Sequence, residues 1–166
     1  MKRNILIIAA FVGSLLFASC GDNKEALVKQ TDDMFTQAET DLQGIDNLDD
    51  FFAFRAEMDG KKDNLIQQIM DTYGISETEE EIPEEVEQIL DRAYAYNEKE
   101  NVKYEELLTP LLESMENAIA NGDKEAAQEA YTTMLKYSEY DLPSEEVEER
   151  CAKIIAGLHG LGVIEQ

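Results

Sequence analysis

From Leu27 to Leu158, apolar side chains recur every three or four positions, the spacing that lays them along one face of an α-helix. Leu27, Thr31, Met34, Ala38 and Leu42 form a first stripe, with Phe35 beside it. Asp22 and Glu25 open it with the spacing of a capping box, and Gly44 stops it. A second stripe follows an Asp46 or Asn47 cap and runs through Leu48, Phe51, Phe52, Arg55, Met58, Lys62, Leu65, Ile66, Ile69 and Tyr73 to Gly74. Gly60 sits in its middle and predicts a kink or break.

The third stripe runs from Pro83 to about Leu108, through Val86, Ile89, Leu90, Ala93, Tyr94, Asn97, Tyr104 and Leu107. Its centre, Asn97 to Asn101, is wholly polar, so the helix either projects past its neighbours there or breaks into a hairpin. Thr109-Pro110 reads as the start of a new segment or as a kink, and Leu111, Leu112, Met115 and Ile119 continue the stripe. Asn121-Gly122-Asp123 combines a stop with a cap for the next helix, which carries Ala127, Ala130, Tyr131, Met134 and Leu135. Pro143-Ser144 opens the last helix, with Val147, Cys151, Ile154, Ile155 and Leu158, and Gly157, Gly160 and Gly162 close it. The expected fold is all-α: an up-and-down bundle of five or six helices with short loops.

The amino terminus follows another pattern. Lys2 and Arg3 precede an apolar run from Ile5 to Phe17, the layout of a secretory signal. A membrane-spanning helix needs ~20 apolar residues, and this run is too short. Leu16-Phe17-Ala18-Ser19-Cys20 resembles the lipobox of bacterial lipoproteins, with Phe17 where an aliphatic residue is usual. The resemblance implies cleavage after Ser19, a diacylglycerol on the Cys20 sulfur and acylation of the new amino terminus. Residues 1–19 would then be a signal peptide, and residues 20–166 a single acidic α-helical domain tethered at Cys20. One acyl chain holds a protein only marginally, and two or three on one residue anchor it. Hardly any tether separates Cys20 from the first stripe, so the body is expected beside the bilayer.

Charge narrows the partners. The chain of 166 residues carries 37 Asp and Glu against 14 Lys and Arg, a net charge of −23. Loss of residues 1–19 removes Lys2 and Arg3 and brings it to −25. Such acidity argues against nucleic acid, which is held by cationic contacts to phosphate, and against docking of the body on anionic lipid. The densest run lies between Ser76 and Glu87. It lacks the alternating Asp or Asn and the Gly turn of a calcium loop, so no metal site is expected.

Little else points to chemistry. His159 is the only histidine, which excludes paired-histidine sites, and it falls where a helix dipole favours a cation. No phosphate loop, GxSxG, HExxH or CxxC is present. No catalytic residue and no cofactor are expected. Cys151 shares a helix face with Val147, Ile154 and Leu158, the placement of a small core residue. Phe54 points off the second stripe and is the candidate partner contact. Asn117 to Pro143 resembles the helical-hairpin half of a tetratricopeptide repeat, present once.

The expectation is a non-enzymatic envelope lipoprotein that shows a helical surface to an envelope protein partner. It sits in the membrane through lipid on Cys20, on the periplasmic or surface face, with the outer membrane favoured over the inner. The alternative is a module binding a small ligand or divalent cation.

Overall fold

The computed structural model describes residues 22–74 and 82–164. They form five helices and, among the described residues, no strand: α1 (Asp22–Gln43), α2 (Leu48–Tyr73), α3 (Glu84–Asn121), α4 (Lys124–Leu135) and α5 (Glu145–Leu161). Loop chemistry sets most of their ends. Asn47, Asp123 and Ser144 each cap a helix by accepting from a backbone N–H three residues on, at 2.9, 3.1 and 3.3 Å. Gly74, Gly122 and Gly162 end α2, α3 and α5 in the left-handed conformation that glycine adopts without strain.

The third helix is the axis. Its 38 residues span about 57 Å at the usual rise, and each of the other helices packs against it. Asp32 and Glu39 of α1 meet Arg92 and Lys99 in the same order along α3, so these two helices run parallel. Phe51 stacks on Tyr104 while Lys62 reaches back to Glu100, so α2 runs antiparallel. The chain reverses again at Gly122-Asp123 into α4. In α5, Ser144 bonds Glu105 and Arg150 bonds Glu116, so this helix is parallel to α3. The result is an up-and-down bundle, but an elongated one. The α1–α2 hairpin lies along the first half of α3 and the α4–α5 hairpin along the second.

Two apolar clusters follow. The first gathers Leu27, Phe35, Ala38, Met58, Leu65, Ile69, Val86, Ile89 and Tyr96. The second gathers Phe51, Phe52, Tyr104, Leu108, Leu112, Met115, Val147, Cys151, Ile154 and Leu158, with Leu42, Leu48 and alanines of α3 and α4. The turns of both hairpins meet at the waist between them. Phe52 stacks on Tyr140 with centroids 3.7 Å apart and on Tyr137 at 5.4 Å, and the Tyr137 hydroxyl donates to Asp49 Oδ1 at 2.9 Å.

Several expectations change. The second and third helices are unbroken through Gly60, through Asn97 to Asn101 and through Pro110. The polar stretch stays helical because its charges find partners: Glu100 is buried against α2, and Lys99 donates to Glu39 at 2.7 Å. Pro110 lies on the exposed side, and Thr109 Oγ1 donates to the Glu105 carbonyl at 2.8 Å. Pro83 is the cap of α3 rather than its first residue. Gly157 and Gly160 lie within α5, and Gly162 alone ends it. At Gly157 an added Cβ would sit 2.8 Å from Ile119 Cγ2, so the missing side chain lets α5 approach α3.

Candidate functional site

At the amino-terminal end, α1 and α3 are joined by charge. Arg92 Nε donates to Asp32 at 2.9 Å and its Nη1 to Glu39 at 2.6 Å, while its guanidinium lies over the Phe35 ring, 5.5 Å from the centroid. Burial lowers the Arg92 pKa, but the bonds to Asp32 and Glu39 outweigh it and raise it. The Lys99 bond, helped by Arg92, outweighs burial and holds the Glu39 carboxyl below its ordinary range. Beside these pairs a shallow groove of about 420 Å³ runs between the helices, floored by Val28, Thr31 and Ile89. Of the charged residues that line it, Glu25, Lys29, Asp32, Glu85 and Arg92, Asp32 and Arg92 are paired with each other.

At the waist, Glu100 is only 3% exposed. A buried carboxylate is costly unless paired. Arg55 Nε stands 3.1 Å from Oε1 and Lys62 Nζ 3.3 Å from Oε2, both from α2. Tyr96, one turn away, is fully buried, and Lys62 lies 5.2 Å from its ring centroid. Its hydroxyl has no hydrogen-bond partner among the described residues. Burial and the nearby Glu100 charge push its ionisation far above the tyrosine range. The cluster fixes how α2 registers on α3.

The predicted site residues fall apart in space. Cys20 lies outside the described residues, as does the 75–81 part of the acidic run. Phe54, the candidate partner contact, is half-buried and packs against both clusters. Cys151 is a buried free thiol inside the second cluster, and burial pushes its pKa up, away from the reactive thiolate. His159 sits in the last turn of α5, with Nδ1 buried and without a hydrogen-bond partner among the described residues. Among the described residues, no three His, Cys, Asp or Glu side chains are grouped to hold a metal. No helix among them is long and apolar enough to cross a membrane.

Four stripe positions behave against expectation: Ile66, Tyr94, Leu135 and Ile155, all read as core, are 54%, 67%, 49% and 44% exposed. Tyr96 and Glu100, read as neither core nor site, are buried. A shift of two residues rotates a helical position by about 200°, so Tyr94 falls on the face opposite Tyr96, while Val86, Ile89 and Tyr104 keep the buried side. The signal in the sequence was the row Ile89, Tyr96, Glu100, Tyr104, which keeps helical spacing only if a carboxylate is admitted to it. Comparison with known proteins yields no match to a family model, a curated protein or a solved structure.

Proposed function

We propose that the protein is a non-enzymatic lipoprotein of the cell envelope that presents a helical surface to a protein partner. Lipid on Cys20 would hold it, on the periplasmic or surface face and in the outer membrane in preference to the inner. The observation that carries this reading is the placement of α1: it starts at Asp22, two residues beyond the lipobox cysteine, and runs parallel to α3. With Cys20 acylated, one end of the rod is at the bilayer, and the end of α3 lies about 57 Å along the axis. The acidic surface favours standing away from an anionic leaflet. The body would thus begin beside the membrane and reach well past it.

A second reading, binding of a small ligand, draws on the groove between α1 and α3. Asp32 and Arg92 at its rim are engaged with each other, which leaves Glu25, Lys29 and Glu85 to recognise one. Cys20→Ala decides the anchor. The variant is expected to leave the membrane fraction, and mass spectrometry of the native protein should find acyl chains on Cys20. Retention of Cys20→Ala in membranes, or an unmodified thiol at the processed terminus, overturns the proposal.

A further inference from the structure

Ile66 and Tyr94 lie on the two helices that Glu100 joins. Arg55 and Lys62 both meet Glu100, which fixes the antiparallel register of α2 on α3 and sets Ile66 at the level of Leu90 and Tyr94. Ile66 and Met70 are one turn apart on α2, and Leu90 and Tyr94 one turn apart on α3. Ile66 and Tyr94 are more than half exposed, and Met70 and Leu90 are half-buried. Apolar side chains are thus left partly or mostly open on both helices at one level. An exposed two-helix face of this kind is one that an amphipathic helix can cover with its apolar stripe.

Charge selects the occupant. The row that carries Ile66 and Met70 continues through Asp59 and Asp63, and the row that carries Tyr94 through Glu87, Asp91 and Glu98. All five carboxylates are exposed. The cations of α2 nearest the α2–α3 seam, Arg55 and Lys62, are committed to Glu100, and Lys62 also stands 3.5 Å from Asp59, which leaves Asp63, Glu87, Asp91 and Glu98 as the main acidic contacts for a partner. A second copy would bring the same acidic rows against themselves, and an anionic leaflet would be repelled. A helix with an apolar stripe flanked by Lys or Arg meets both the exposed apolar residues and the carboxylates beside them.

We propose that the α2–α3 seam is the docking surface for a basic amphipathic helix of a partner protein. This deepens the reading above by naming the surface and the chemistry of the partner. The test uses the mature chain in detergent and two synthetic helical peptides, one with leucines on one face flanked by lysines, the other with glutamates in place of the lysines. The lysine peptide is expected to bind and the glutamate peptide not. The pair Ile66→Glu and Tyr94→Glu should weaken binding at least tenfold. Both side chains are mostly in solvent, so thermal melting should hardly move. Ile155→Glu on α5, also an exposed apolar site, should bind as the parent does. Absence of binding, binding of both peptides alike, or equal loss in Ile155→Glu overturns the proposal.

A photo-crosslinking residue at position 94 in intact cells gives the second arm. A crosslinked peptide with a basic amphipathic helical pattern supports the proposal, whereas crosslinks to a second copy or to lipid overturn it. Loss of the membrane anchor would leave the peptide result unchanged, so the two readings fail separately.

Discussion

Along its first half α3 meets its neighbours through an apolar cluster edged by several ion pairs, and along its second half mainly through aromatic and aliphatic side chains. Arg92, Lys99 and Glu100 meet Asp32, Glu39, Arg55 and Lys62 around a cluster whose rings are Phe35 and Tyr96. Beyond the waist, Phe51, Phe52, Tyr104, Tyr137 and Tyr140 stack on one another, and leucines fill the rest. The exception there is Arg150, which grips Glu116 at 2.7 and 2.8 Å on the rim. Ion pairs fix register but contribute little net stability once desolvation is counted. Apolar packing supplies stability and is sensitive to volume. The first half should therefore respond to charge changes, and the second to changes in shape.

The largest effect is expected at Glu100. Arg55→Met with Lys62→Met strands a buried charge, and urea unfolding should show a loss of about 3–5 kcal/mol. Adding Glu100→Leu should recover most of it; no recovery would mean that the pairs contribute net stability rather than register. Phe52→Ala removes the ring between α2 and the α4–α5 connection and should cost about 3–5 kcal/mol by cavity formation. A loss below about 1 kcal/mol would break the view of the waist as a packed junction.

Gly157→Ala is the shape test for the second half. Its methyl would come within 2.8 Å of Ile119, so a cost of about 1–3 kcal/mol in thermal unfolding is expected, relieved by Ile119→Ala. The smallest effect is acid sensitivity. Glu39 and Glu116 are held below the ordinary carboxylate value of 4.5, by Lys99 and by Arg150 respectively. Each binds protons less readily folded than unfolded, so the stability it adds is present above pH 4.5 and is lost as pH falls through its lowered value. Glu39→Gln should flatten the acid limb of a stability–pH curve; an unchanged limb would remove the first half's ion pairs from the account.

Helix content and most boundaries were legible in the sequence, because caps and stops are local chemistry: Asn47, Asp123, Ser144, Gly74 and Gly122 act where their positions suggest. The continuity of α3 was not legible. Asn97 to Asn101 is polar by composition, and only the approach of α1 and α2 turns those charges into contacts. Phe54 shows the same limit. It lies off its own helix stripe, yet it is half-buried because two clusters meet around it. Ile66 and Tyr94 kept the spacing of core residues, and nothing along the chain marks that neighbouring helices leave them open.

The parallel course of α1 and α3 has a mechanical consequence. Under the proposed anchoring, a pull between the bilayer and the far end of α3 enters at the bottom of α1 and leaves at the top of α3. The Asp32–Arg92 and Glu39–Lys99 contacts then bear the load together, in shear, rather than parting one after another like a zip. An antiparallel neighbour tethered at its upper end would peel. Such a joint yields at higher force for the same bonds, which suits a part kept under tension.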